Sequence, residues 1–183
     1  MKKILFFVAV IATSFAMKAQ ENAIKANPFA LLGGTDLVSY ERAVSDNSSV
    51  IVGAGIGGFK IAGTKYSSFG ASLQYRYYFK EALKGWYAGA FAQYLSGNVD
   101  FESFTFNEDT FTTEETTEEI SYGAFGGGAK VGHQWIWDSG FTLDLNAGIG
   151  YSSFSYDDDS DTTLGLKASG ILPNFGLALG YAW

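Results

Sequence analysis

Residues 69–79 read Phe-Gly-Ala-Ser-Leu-Gln-Tyr-Arg-Tyr-Tyr-Phe, and every second position of this stretch, beginning with Phe69, is apolar or aromatic. The positions between them are mostly small or polar. A period of two is that of a β-strand with two unlike faces, and about ten residues is the length of a tilted strand that crosses a bilayer. The same alternation recurs, clearly or weakly, at residues 141–151, 175–183, 50–61, 86–94 and 120–135.

The composition of the second face separates two kinds of β protein. A soluble sandwich buries its apolar face and carries many charges on the other. Here the second face is mostly Gly, Ala, Ser and Thr, and small residues fit the crowded interior of a narrow barrel. The sequence therefore predicts an all-β protein, an eight-stranded antiparallel up-and-down transmembrane β-barrel.

The strand positions follow from counting backwards, with the C-terminus in the periplasm. Gly33 and Gly34 are expected to form the turn of the first hairpin. Pro173 is awkward in the last strand, because proline has no N–H to donate. The predicted strands are 23–32, 35–43, 50–62, 67–79, 85–106, 110–135, 141–156 and 164–183.

The N-terminus has the pattern of a secretory signal peptide. Lys2 and Lys3 precede an apolar run at residues 4–12, and a cleavage site follows Ala19. An uncleaved anchor is the alternative, but the run is shorter than the roughly 20 residues that span a bilayer. We expect residues 1–19 to be removed and residues 20–183 to form one barrel in the outer membrane of a Gram-negative cell.

The charge balance argues against one class of partner. The chain has 12 basic and 19 acidic residues. The signal peptide removes Lys2, Lys3 and Lys18, which leaves nine basic residues and a net charge of −10. Nucleic acid is therefore not an expected partner, because phosphates need a basic surface. The absence of cysteine excludes a disulfide scaffold and a thiolate metal site.

Aromatic residues stand beside three short segments, 44–49, 80–84 and 138–140, which we interpret as periplasmic turns. Aromatics at one level of the strands are typical of the girdle at a membrane interface. The expected girdle consists of Tyr40, Tyr77, Phe79, Trp86, Trp135, Trp137 and Phe141.

Acidic residues concentrate in two other segments, 97–119 and 157–161, which contain no Lys or Arg. Long external loops opposite short periplasmic turns are typical of outer-membrane barrels. Thr162 and Ala168 occupy positions where a calcium loop needs Gly and Glu, so the EF-hand pattern fails. A surface partner or loosely held divalent cations remain the expected ligands of these loops. Their acidic residues are Asp100, Glu102, Glu108, Asp109, Glu114, Glu115, Asp157, Asp158, Asp159 and Asp161.

Four charged residues occupy alternate strand positions that are expected to point into the barrel: Glu41, Arg76, Lys130 and Asp144. Charges inside a narrow lumen persist when they are paired, so we expect a polar network that blocks leakage. A gate or an ion path is the alternative. His133, the single histidine, occupies a strand position that is expected to point outward, and we expect it at the lipid interface.

The last residues resemble the C-terminal signal of outer-membrane barrels, which the barrel-assembly machinery reads. Residues 27–34, 37–42, 75–79 and 85–89, in this order, resemble a family of small barrels of unknown function. The resemblance implies an OmpA/OmpX-like eight-stranded architecture and no activity. The assembly signal consists of Phe175, Leu177, Leu179, Tyr181 and Trp183.

One motif imitates a nucleotide site. Gly53, Gly55 and Gly58 have the G-x-G-x-x-G spacing, but no amphipathic helix follows to hold a pyrophosphate. The sequence predicts no catalytic, cofactor or metal site, and no catalytic dyad accompanies His133. The expected function is non-enzymatic, structural or surface-binding through the acidic loops. A narrow channel for small solutes and a soluble, periplasmic, lipocalin-like binder are the alternatives.

Overall fold

The computed structural model describes residues 20–32, 34–61, 64–107, 112–157 and 168–183, with side chains left out at 32, 101–107, 112–118, 156–157 and 168. The predicted signal peptide, residues 1–19, lies outside the described residues. The described chain forms eight strands and one short 3-10 helix, Pro28–Leu32. The strands are β1 Asn22–Ala26, β2 Val38–Ser45, β3 Ser48–Ile61, β4 Thr64–Tyr78, β5 Gly85–Asn107, β6 Thr112–Ile136, β7 Phe141–Asp157 and β8 Ala168–Ala182.

The strands close into a ring. Each strand is antiparallel to the next along the chain, and β1 also pairs with β8, with Ile24 opposite Tyr181. This closure confirms the prediction of an all-β chain with eight antiparallel, up-and-down strands. Among the described residues, no helix is long and apolar enough to cross a membrane.

Side chains alternate between the two sides of the ring as the period of two requires. In β4, Gln74, Arg76 and Tyr78 are buried inside the ring, whereas Leu73 and Tyr75 are about half exposed outside it. The interior is therefore rich in polar groups and the exterior is apolar, which is the reverse of a soluble protein.

The prediction of the first hairpin was wrong in its bounds. β1 ends at Ala26 instead of running to residue 32, because Asn27 starts a helical turn. Its side-chain oxygen accepts from the Phe29 N–H (3.1 Å), and its carbonyl accepts from the Ala30 N–H (3.1 Å). Pro28, which has no N–H to leave unpaired, occupies the first helical position.

The segment between β1 and β2, residues 27–37, is called the inner loop below. The Asn27 N–H donates to the Leu37 carbonyl (3.0 Å) and closes the base of the loop. Ala30 and Thr35 are buried, and Asp36 accepts hydrogen bonds from Ser72 and Gln74 of β4. The inner loop therefore packs inside the ring, against its wall.

The two ends of the ring differ. At one end, called the turn end, short turns at 46–47, 79–84 and 137–140 join the strands. These turns bond to one another, as where the Ala82 N–H donates to the Asp46 carbonyl (2.7 Å). At the other end, β5 and β6 run past their neighbours as a two-stranded ribbon, whose seven pairs extend from Phe101↔Glu118 to Asn107↔Thr112. This end is called the ribbon end.

Pro173 is accommodated in β8, opposite Ile149 of β7. β1 reaches only as far as Leu179 of β8. Residues 168–178 of β8 therefore have a strand neighbour on one side only within the described structure. An edge with no strand partner is where a sheet tolerates proline.

Candidate functional site: the interior charge network and the cavity above it

Near the turn end, five side chains from five strands meet inside the ring. This set, called the interior network, consists of Lys25, Glu41, Arg76, Gln134 and Asp144, and each of its members is nearly or fully buried. Lys25 is its hub, because its ammonium donates to Glu41 (2.6 Å), Gln134 (2.9 Å) and Asp144 (2.9 Å).

Arg76 completes the charge balance of the interior network. Its guanidinium donates to Asp144 and to the side-chain oxygen of Gln134 (3.2 Å), and it lies 3.9 Å from Glu41. The same guanidinium lies over the ring of Tyr87, 4.1 Å from its centre. Two cations thus face two carboxylates, and buried charges persist in this paired state.

Hydroxyl groups satisfy the remaining carboxylate oxygens. Tyr78 and Ser49 donate to Oε1 of Glu41, at 2.7 Å for Tyr78, and Tyr87 donates to Oδ1 of Asp144 at 2.8 Å. The two tyrosine rings lie 5.2 Å apart and fill the interior beside the charges. Because every carboxylate oxygen here accepts a donor, the network is well connected and fixes the strands against one another.

The sequence prediction placed Glu41, Arg76, Lys130 and Asp144 in one interior network. All four are buried inside the ring, but Lys130 is not part of the network, and that pairing was wrong. Lys25 takes its place, because residue 25 of β1 is buried inside the ring and its ammonium reaches both Glu41 and Asp144.

Sequence reasoning missed Lys25, Gln134 and the two tyrosines. The last strand carries only an indirect signal for Lys25, a glycine at position 180 whose partner is known once the strands are paired. A Cβ at Gly180, which pairs with Lys25, would lie 2.7 Å from Cγ of that lysine. The glycine leaves room for the long side chain, and Tyr78 was an aromatic residue on an otherwise polar face.

Above the network, towards the ribbon end, the interior holds a cavity of about 260 Å³. The interior network forms part of its wall, and the inner loop and residues 174–178 of β8 form another part. Lys130 lines this cavity and is only 6% exposed. Its ammonium lies over the ring of Phe91, 4.6 Å from the centre, and has no hydrogen bond or ion pair to a described residue.

The nucleotide-like glycines have a packing role. β3 and β4 form a hairpin, so no helix follows the motif. A Cβ at Gly53 would collide with the Asp36 carboxylate, and one at Gly55 would lie 3.1 Å from the backbone of Thr35 and Leu37. These two glycines let the inner loop lie against the wall of the ring.

The residues of the expected girdle are exposed on the outside of the ring, near the turn end. Several of them contact one another, as do Tyr77 and Phe79, with ring centres 6.4 Å apart. His133 lies between Trp86 and Trp135 on the outer face, edge-on to Trp86 (ring centres 5.1 Å apart) and tilted against Trp135 (4.1 Å). The exposed set is Tyr40, Tyr77, Phe79, Trp86, Trp135, Trp137 and Phe141.

Several acidic residues assigned to the loops lie in strands, where the predicted strand bounds 85–106 and 110–135 also place them. Asp100 lies in β5 and pairs with Lys65 (3.2 Å). The backbone places Glu102, Glu114 and Glu115 in the ribbon, because threonine and phenylalanine favour extended strands there. Asp157 ends β7. The other predicted loop acids lie outside the described residues: Glu108, Asp109, Asp158, Asp159 and Asp161.

The residues of the expected assembly signal lie at the end of the ring. Phe175, Leu177, Leu179 and Tyr181 are in β8, and Trp183 follows it. The Trp183 N–H donates to the Asn22 carbonyl (2.9 Å), which ties the C-terminus to the start of β1.

These features define the class of the protein: an all-β chain whose eight antiparallel strands close a ring around a charged interior. The chain belongs to the family described as Protein of unknown function (DUF3575), whose model matches residues 5–169. The match confirms the expected membership of a family of unknown function, and it names no OmpA/OmpX-like superfamily. No curated protein and no solved structure matches the chain.

Proposed function

We propose that the protein is a non-enzymatic, integral outer-membrane β-barrel that acts structurally or as a surface-binding platform. The observation that carries this proposal is the apolar exterior of the ring. Leu73 is 54% exposed, Phe125 65% and Phe175 77%, and similar residues occur on every strand of the ring. Apolar surface of this extent needs a cover, and a bilayer covers all sides of a ring at once.

The aromatic girdle near the turn end and the acidic ribbon at the opposite end fit one orientation of the ring in the membrane. The girdle residues near the turn end would sit at the periplasmic interface, where amphipathic rings are favoured. The ribbon would then project from the cell, and the resemblance of β8 to an assembly signal supports the barrel-assembly machinery as a partner during insertion.

The interior favours this proposal over its two alternatives. A narrow channel needs a continuous aqueous path, whereas the interior network and its two tyrosines fill the ring near the turn end. A lipocalin-like binder would hold its ligand in an apolar interior and would present a polar exterior. The burial of Glu41, Arg76 and Asp144 opposes that arrangement.

The ribbon is the part of the molecule best placed to bind a partner. Its seven pairs extend roughly 23 Å beyond the strands on either side, at about 3.3 Å per residue. Residues 101–118 include six acidic residues and no basic residue. The binding surface would therefore favour a basic partner or divalent cations. Its outer strand edges, which pair with no other described strand, could also pair with an extended segment.

Removing the ribbon tests this role. A variant in which a two-residue turn replaces 101–118 retains every pair that β5 makes with β4 and β6 makes with β7. We expect intact cells with this variant to lose most of their binding of a fluorescent lysine-rich peptide, measured by flow cytometry. The matched variant retains the full length and changes the six acidic residues of 101–118 to amides, which should also abolish binding.

Two results would contradict the surface role. Equal peptide binding with and without the ribbon would show that the ribbon is not the binding surface. Loss of binding on deletion with full binding by the amide variant would exclude the acidic charge as its cause.

A further inference from the structure

The wall of the ring is incomplete on one side towards the ribbon end. β2 pairs with β3 only as far as Val38↔Ala54, and β1 pairs with β8 only as far as Ala26↔Leu179. Beyond these pairs, residues 55–61 of β3 and 168–178 of β8 are edges with no strand between them in the described structure. The interval between the two edges is called the lateral slot.

The inner loop lies inside the ring beside the lateral slot, and it is held more firmly on the β3 side than on the β8 side. Asp36 bonds to Ser72 and Gln74, and Thr35 and Gly34 lie against Gly70 and Gly55 of the β3–β4 hairpin. No side-chain hydrogen bond joins the described residues of the loop to β8. The seam between the inner loop and β8 is therefore the weaker side of the slot.

The polar cavity inside the ring and an apolar groove outside it meet at this seam. The groove has a volume of about 600 Å³ and is lined by Trp86, Val131 and Leu145. Cavity and groove share Phe29 of the inner loop and residues 175–177 of β8 in their walls. A molecule at the seam would therefore touch polar groups on one side and apolar groups on the other.

Lys130 supplies a cation within reach of the seam. It lies on the same rung as Gly148 and Asn174, so only a glycine separates it from the free edge of β8. Two strand spacings are about 10 Å, and no side chain at position 148 obstructs the path. On the next rung, the amide of Asn146 lies over Gly176, and it lines both the cavity and the groove.

We propose that the lateral slot binds a long-chain carboxylate, with its head group at Lys130 and its chain in the outer groove. Lys130 is buried and unpaired among described residues, so a carboxylate would give it the partner that a buried charge requires. The cavity is smaller than the pockets that enclose whole ligands, so it holds a head group and leaves the chain outside. The outer groove has the apolar lining that an acyl chain needs.

This inference rests on the proposed membrane location, which would supply the ligand to the groove. A carboxylate at this depth of a bilayer is costly in hydrocarbon, and the polar interior of the ring gives it a place out of the lipid. Asp36 lines the same cavity, but Ser72 and Gln74 hold its carboxylate by hydrogen bonds.

The test uses purified, folded protein in detergent micelles and a sixteen-carbon fatty acid with two bromine atoms on its chain. Bromine quenches tryptophan, and Trp86 lies in the groove, so Trp135, Trp137 and Trp183 are changed to Phe to isolate its signal. We expect saturable quenching that Lys130→Met weakens about tenfold or more, as loss of a charge-assisted hydrogen bond predicts. The matched control, Lys65→Met, removes an exposed lysine at the ribbon end and should leave the affinity unchanged.

Two further probes complete the design. The methyl ester of the same brominated acid should bind wild type and Lys130→Met alike, since it has no charge. Equal quenching of wild type and Lys130→Met by the acid would overturn the proposal. Displacement of the probe by hexanoate or inorganic phosphate as readily as by a long-chain acid would also overturn it, in favour of a site for small anions.

The quenching experiment and the test of membrane location can fail separately. Membrane location is measured by cell fractionation, and quenching is measured in micelles. A soluble protein that binds the acid would reject the proposed function alone, and a membrane protein whose Lys130 variant binds normally would reject the slot alone.

Discussion

The turn end and the ribbon end of the ring are closed in different ways. At the turn end all eight strands are paired on both sides, and the interior network fills the space they enclose. At the ribbon end β1 and β2 have stopped, and the inner loop packs inside the ring beside the opening. One end is filled by charge pairing between five strands, and at the other end a loop packs mainly against the β3 side.

The difference indicates where stability and where function reside. Buried, paired charges tolerate little change, because removal of one member leaves the others unpaired in a low dielectric. A loop that packs against glycines can be displaced without breaking a strand pair. We therefore expect substitutions at the turn end to affect unfolding, and substitutions at the ribbon end to affect access and binding.

The largest effect is expected for Asp144→Asn. This carboxylate accepts from Lys25, Arg76 and Tyr87, and its neutralisation leaves two cations facing the single charge of Glu41. We expect the free energy of unfolding to fall by about 3–5 kcal/mol, the usual cost of breaking a buried pair. Urea unfolding of the protein in lipid vesicles, followed by tryptophan fluorescence, measures it.

Asp100→Asn is the matched control for this change. It removes a carboxylate that also pairs with a lysine, but Lys65 is exposed at the ribbon end. The expected loss is at most about 1 kcal/mol. Similar losses for the two variants would show that the interior network does not dominate the stability of the turn end.

A smaller effect is expected for Gly55→Ala. The new Cβ would lie 2.5 Å from the Gly34 carbonyl oxygen and 3.1 Å from backbone atoms of Thr35 and Leu37, so the inner loop must move away from β3. Overpacking of this kind costs about 1–3 kcal/mol. We also expect faster cleavage within residues 27–37 by a protease added to folded protein, measured by mass spectrometry of the fragments.

Gly170→Ala in β8 controls for the loss of a glycine, since nothing lies within 4 Å of a Cβ there. This variant should unfold and be cleaved like wild type. Equal protection of the inner loop in Gly55→Ala and Gly170→Ala would mean that the loop does not depend on its contact with β3.

Much of the fold was predictable because a closed ring repeats one simple rule. The alternation at residues 69–79 and 141–151 fixed the faces of β4 and β7, and the interior positions of Arg76 and Asp144 follow from it. β1 was not predictable by the same rule. At Asn27 a side-chain hydrogen bond and a following proline redirect the backbone, and this local chemistry has no periodicity.

The composition of the site was harder to predict than its location. The alternation of side chains indicated that Lys130 points inward, but it could not indicate which cation pairs with Asp144. That choice depends on the stagger of neighbouring strands, which places Gln134 opposite Asp144 and Lys130 opposite Gly148. The register of a sheet is set by all of its pairs together, so the identity of Lys25 as the hub required the closed structure.

The central claim, a closed barrel inserted in the outer membrane, is tested most directly by electrophoresis of that membrane fraction. The same sample is loaded on an SDS gel unheated and boiled. A closed barrel resists SDS until heat breaks its strand pairs, so we predict a membrane-bound protein that migrates at two different positions. A single position in both lanes, with the protein in the soluble periplasmic fraction, would contradict the claim and would return the lipocalin-like alternative to first place.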